Sequence, residues 1–237
     1  MAPTLNIILT GSLSLLLSMN IFSQSLGLGA GINISKLNFK SDESTEFGDY
    51  RSLIGLHVAL HYDLKFTDRF GIRIGIAYSS KGFGYKSGYN YSSDVDSFST
   101  CSKSKTRLNY MQINPMLKYT LPVSECKTFY ALIGPYLSMG LSGKQAEHQT
   151  YSYIDHFNPT NNINIDTSND NEIHFGQDES GFDIINYGVT SIIGFQLNRF
   201  FVEAVYDIGI NDIEINNEDE FEVRDRTFSI KFGYLFQ

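Results

Sequence analysis

The sequence predicts an all-β fold: an eight-stranded antiparallel transmembrane β-barrel with short periplasmic turns and long extracellular loops. Three observations carry this. Apolar residues recur at every second position in eight separate stretches. The intervening positions are rich in Gly, Ala and Ser. The connections between stretches alternate between short and long.

The clearest stretch is Ile54 to Phe66, where Ile54, Leu56, Val58, Leu60, Tyr62, Leu64 and Phe66 are apolar. Gly55, His57, Ala59, His61, Asp63 and Lys65 lie between them. A period of two sends alternate side chains to opposite faces of a strand. An earlier stretch, from Leu26 to about Phe39, sets Leu26, Leu28, Ala30, Ile32 and Ile34 against Gly27, Gly29, Gly31, Asn33 and Ser35. The third sets Phe70, Ile72, Ile74, Ile76 and Tyr78 against Gly71, Arg73, Gly75, Ala77 and Ser79. The fourth runs from Tyr110 to Leu121 with Lys118 on its polar face, and the fifth from Phe129 to Leu141. The sixth is Ile185 to Leu197. The seventh, Phe200 to Ile208, puts Glu203 and Asp207 on its polar face. The eighth, Thr227 to Phe236, puts Lys231 there.

Short turns are expected at Thr67–Arg69, Pro122–Lys127 and Asn198–Arg199. Long polar loops are expected at 41–50, 86–106, 145–181 and 212–222. This asymmetry between two rims is a property of outer-membrane barrels, and an even strand count places both termini at the short-turn rim. A soluble barrel would bury its apolar face. Here the polar face is small, as the narrow lumen of an eight-stranded barrel requires. Aromatics close many apolar faces, among them Phe66, Phe70, Tyr119, Phe129, Phe195, Phe200, Tyr234 and Phe236, as interfacial girdles do.

Residues 1–24 read differently. Ile7 to Phe22 is apolar with small polar residues, and no charge precedes Lys36. We read 1–24 as an export signal peptide, lacking the usual basic residue near Met1, and 25–237 as the barrel domain. The body of the chain has no apolar run long enough for a spanning helix. A net charge of −8 argues against a nucleic-acid partner.

Four segments resemble the PorT-type outer-membrane β-barrel family: Ile113–Tyr119, Ile133–Leu137, Tyr187–Phe195 and Tyr206–Ile213. The resemblance implies a Gram-negative outer-membrane barrel and carries Pro115 and Pro135 with it. Some members serve protein export, but the matched residues are scaffold positions. Two mid-strand prolines without ladder donors predict a bulge or weakened pairing.

His57, His61, Asp63, Lys65, Arg73, Lys118, Glu203, Asp207 and Lys231 share the polar face and are expected to form a structural lumen network. His57, His61 and Asp63 have a spacing on which a metal site is conceivable, but the network reading is preferred and no metal is assigned. The loops are acidic. The run Asp166–Glu172 lacks the mid-loop Gly of a calcium loop, so a solvated surface is expected. Cys101 and Cys126 belong to opposite rims in this topology and cannot form a disulfide. No nucleophile elbow, phosphate loop or cofactor motif is found. The chain therefore reads as a non-enzymatic structural, interaction or secretion-accessory barrel. Its partners are outer-membrane lipid and proteins at the extracellular loops or periplasmic turns. A small-solute channel and a soluble, exported lipocalin-like barrel are the alternatives.

Overall fold

The computed structural model describes residues 24–40, 49–176, 182–211 and 222–236. Its strands are β1 (Gln24–Lys40), β2 (Asp49–Lys65), β3 (Phe70–Ser92), β4 (Asp96–Ser124), β5 (Lys127–Asp155), β6 (Ile163–Ile173), β7 (Ile185–Leu197), β8 (Phe200–Gly209) and β9 (Glu222–Phe236). Eight close a ring in the order β1-β2-β3-β4-β5-β7-β8-β9, with β9 returning to β1. Each ladder is antiparallel.

The registers fix the barrel's shape. Starting at Gln24, the rung partners are Leu64, Ile72, Leu117, Ile133, Ser191, Tyr206 and Phe228, and the last pairs with Ile34. One circuit thus climbs β1 from residue 24 to residue 34. Eight strands with that stagger tilt by about 40° and enclose a Cα cylinder of about 8 Å radius. Side chains alone fill such a cylinder.

The apolar face points outward. Leu56 is 52%, Ile74 46% and Phe232 66% exposed, whereas Arg73 is 1% and Glu203 0% exposed. This overturns the soluble alternative, because no aqueous protein turns so many large apolar side chains to water. On β4 the outward apolar positions run from Leu121 to Met111. At the strand rise and tilt above, that run is about 25 Å tall, the height of a membrane barrel's apolar band. Aromatics ring the short-turn rim, with Phe70 against Tyr119 (5.2 Å between centroids), Phe129 against Phe195 (4.8 Å) and Phe200 against Tyr234 (5.4 Å).

Short turns close this rim. Thr67 Oγ1 accepts from the backbone N–H of Arg69 and Phe70. Asn198, at φ 55°, makes the two-residue β7–β8 hairpin, and Asn tolerates this left-handed conformation.

Glycines on the lumen face make room for rings. Four bulky rings each face a glycine directly across a ladder: His61 and Gly27, Tyr130 and Gly194, Tyr136 and Gly188, Phe201 and Gly233. A Cβ on Gly194 would sit 2.3 Å from the Tyr130 ring, and one on Gly233 2.1 Å from Phe201.

Pro115 and Pro135 fall opposite one another. The β4–β5 register is the same on both sides of them, with Ile113 against Leu137 and Leu117 against Ile133, but the three rungs between are unpaired. Losing one two-bond rung removes the pairing on either side of it, and two facing prolines lack both donors. The result is weakened pairing without a bulge.

Two expected loops are strand. β3, β4 and β5 continue far beyond the apolar band, pairing through Ser92–Ser97 and Asp96–Asp155. A ninth strand, β6, then pairs with the outer half of β5. Segments 86–106 and 145–173 therefore form an open four-stranded sheet, β3-β4-β5-β6, above the long-loop rim. The sequence there is Ser-, Thr- and Asn-rich, so the apolar alternation that marks a strand is weak. Extended backbone is fixed instead by continuous pairing with neighbours already in register. The loops 41–48 and 212–221 lie outside the described residues.

Candidate functional site

The lumen is closed at three levels. In the half of the barrel nearer the short turns Met116, Leu132, Ile192 and Val205 pack with the Tyr130 ring, and Phe201 and Leu235 are buried closer to the rim. At the far mouth Leu108, Tyr110 and Ile173 are buried, with Phe175 and Phe182 packed over them. The buried charges interleave with these layers: Arg73 shares a rung with Met116, Lys118 shares one with Leu132, and Lys81 lies 5.9 Å from the Tyr110 ring centre.

Arg73 is the centre. Its Nε donates to Asp63 Oδ1 (2.5 Å), its Nη2 to Asp63 Oδ2 (2.9 Å), and its Nη1 to Glu203. Lys118 donates to Asp63 Oδ2 (2.5 Å), Lys231 lies 2.8 Å from Glu203 Oε2, and the Tyr130 hydroxyl donates to Glu203 Oε1 (2.7 Å). The Tyr130 ring also lies beneath both cations, 5.3 Å from the Arg73 guanidinium carbon and 4.5 Å from Lys118 Nζ.

A second cluster sits nearer the extracellular mouth. Lys81 donates to Asp225 (2.6 Å) and lies 3.8 Å from Asp207. Thr190 and Gln112 donate to Asp207, and Thr227 donates to Asp225. Asn33 ties β1 to β3 and β9, donating to Ser79 and accepting from Ser229.

Among the described residues the buried charges balance: Arg73, Lys81, Lys118 and Lys231 against Asp63, Glu203, Asp207 and Asp225. An uncompensated buried ion costs several kcal/mol, so neutrality is what lets this interior form.

Of the residues expected in the network, Asp63, Arg73, Lys118, Glu203, Asp207 and Lys231 carry these bonds. His57 and His61 are buried among them, and His61 stacks edge-on to Phe201. His57 Nδ1 and both His61 ring nitrogens have no protein partner. A cavity of about 20 Å³ touches both histidines, Gln112 and Lys231, room for a single water. Asp63 is engaged by Arg73 and Lys118 and does not turn to the histidines. No cluster of three metal-ligating side chains occurs among the described residues. Lys65 stands apart: it is half-exposed, two residues nearer the rim, where the lumen opens to water.

Lys81 and Asp225 were not legible as members, because the apolar alternation fades at Tyr78 and Phe228. Extending the period-two register by a few residues, through Ser79 and Thr227, would have found both.

The external sheet has two faces. The one continuous with the lumen carries Tyr91, Phe98, Tyr153 and Ile163 along one rung and Tyr89, Thr100, Tyr151 and Ile165 along the next. Phe98 packs against Tyr151 at 5.1 Å. The run Asp166–Glu172 is the edge strand itself and not a metal-binding loop. Asp166, Asp170 and Glu172 alternate along it, and charges on an open edge oppose further strand addition. Cys101 lies within this sheet and Cys126 in the β4–β5 turn at the other end of β4, both as free thiols.

No curated protein matches the sequence. Among solved structures, the attachment invasion locus protein Ail of Yersinia pestis is 14% identical, covering 91% of this chain and 100% of Ail, with a TM-score of 0.39. OprG from Pseudomonas aeruginosa is 11% identical over 92% of this chain and 97% of OprG, with a TM-score of 0.37. Neisserial surface protein A is 14% identical over 91% and 100%, with a TM-score of 0.34. The sequence profile of the family described as "outer membrane protein beta-barrel domain" matches residues 22–214. Matched over most of its length, the chain belongs to that family and is a barrel of the Gram-negative outer membrane.

Proposed function

We propose that the protein is a non-enzymatic, non-conducting anchor that displays an interaction sheet at the cell surface. The observation that carries this reading is the filled, charge-neutral lumen. A hydrated ion has no path past Phe201, the Arg73 cluster and the Tyr110 layer without breaking buried ion pairs. What then distinguishes this barrel from an inert one is the sheet β3-β4-β5-β6. On β4 it extends roughly 50 Å of strand beyond Met111. Its exposed aromatic rungs are of the kind that anchor protein interfaces.

The finer likeness to PorT-type barrels rests on wall segments such as Ile113–Tyr119. It supports the scaffold and supplies no partner. Residues 1–23 lie outside the described residues, and β1 begins at Gln24. We read 1–24 as removed on export, which the intact mass of the mature protein tests.

Planar-bilayer recording and site-specific photo-crosslinking together test the function. The reading expects no conductance steps, and partner adducts from a crosslinker at Tyr153 or Ile165. Steady ohmic conductance would favour the small-solute channel and sink the anchor reading.

A further inference from the structure

The outer wall changes character abruptly above the apolar band. On β4 the outward positions go from Met111 to Asn109, then Arg107, Lys105 and Lys103. The two cations nearest the band therefore stand at the depth of the outer-leaflet headgroups.

The neighbouring strands concentrate this charge. Arg107 lies directly opposite Lys144 on β5, and Lys103 directly opposite Lys86 on β3. Like charges on facing rungs are destabilising. Among the described residues neither pair is relieved by an ion pair. Gly82, Gly84 and Ala146 flank the cations and leave a groove of about 480 Å³ lined by Lys105, Arg107, Lys144 and Leu53. On β6 Glu172 stands directly opposite Lys144, and Asp170 opposite Ala146. They leave the groove net positive, and Lys86 and Lys103 above add to that excess. This occurs in a chain whose net charge is −8.

The geometry points to a site on the barrel wall for the phosphate groups of an outer-leaflet glycolipid. A phosphate between Arg107 and Lys144 removes their repulsion and accepts charge-assisted hydrogen bonds from both. A lipid is favoured over a soluble anion because the groove opens directly from the lipid-facing belt. Met111, Leu141 and Ile54 lie below it, where acyl chains attached to the same headgroup would pack.

The test uses the full barrel purified in a neutral detergent. Its probes are bisphosphorylated lipid A, the same lipid after enzymatic dephosphorylation, and inorganic phosphate, read by native mass spectrometry. The wild type should retain the phosphorylated lipid about tenfold better than the dephosphorylated one. R107Q/K144Q should lose that preference, and R107K/K144R should keep most of it. Heat-modifiable migration on gels verifies folding, and the wild-type lipid comparison stands even if a variant does not fold. Equal retention of the two lipids by the wild type would overturn the proposal, as would an undiminished preference in R107Q/K144Q. Inorganic phosphate displacing lipid A at equal concentration would overturn the lipid assignment.

Discussion

Arg73 and Asp63 face each other across one rung of the β2–β3 ladder and share two hydrogen bonds, of 2.5 and 2.9 Å, inside the barrel. Asp63 also takes Lys118, so it neutralises two cations at once. Asp63→Asn leaves Lys118 without a paired carboxylate and Arg73 with Glu203 alone, and should cost about 3–5 kcal/mol. Replacing Arg73 and Asp63 together by Met and Leu should cost less than Asp63→Asn alone. Urea unfolding in lipid vesicles measures both.

Tyr130 reaches Glu203 only because Gly194 leaves room for its ring. Gly194→Val should therefore destabilise by about 1–3 kcal/mol through overpacking. In a Tyr130→Ala background most of that loss should vanish, since the two positions touch and their effects are not additive. Four unfolding curves close the cycle.

Ile74 faces outward opposite Pro115, near the middle of the apolar band. Ile74→Arg should cost about 2–4 kcal/mol, and Val123→Arg near the turn rim less than about 1 kcal/mol. A reversed ranking would contradict the assigned membrane depth.

Cys101 and Cys126 report orientation without any mutation. A membrane-impermeant maleimide added to intact cells should label Cys101 in the external sheet. Cys126 should react only after the outer membrane is permeabilised. Labelling of Cys126 alone on intact cells would invert the topology.

Asp155 closes the β5–β6 connection. The Asn161 side chain donates to its carboxylate, as do the backbone N–H groups of Asn158 and Phe157. These bonds hold its carboxyl below the usual range, with the Asn161 contact the largest cause. Their contribution is complete above about pH 4, the ordinary aspartate range, and fades as pH falls through the depressed value. Relative to the intrinsic rate at each pH, amide exchange at Phe157 and Asn158 should stay protected at pH 5 and lose protection only in stronger acid. In Asp155→Ala both amides should be unprotected throughout.

The ring of eight strands was legible because lipid and lumen impose opposite chemistries on alternate positions. From Ile54 to Phe66 that alternation is written residue by residue. Beyond the membrane it weakens. Ser97 to Lys105 lies beyond both the lipid and the filled lumen, so nothing in its composition distinguishes strand from loop. The network was legible where a charge fell inside an apolar alternation, as at Arg73 and Glu203. It was lost where the alternation faded, as at Lys81 and Asp225.

By itself the sequence determined which side of each strand meets lipid, and hence the fold and the membrane it serves. Only the tertiary structure decided which charges meet, that a ninth strand joins the external sheet, and that Arg107 stands against Lys144. Those outcomes depend on register between strands far apart in the chain. Register is settled by the closure of the whole cylinder and by no single segment.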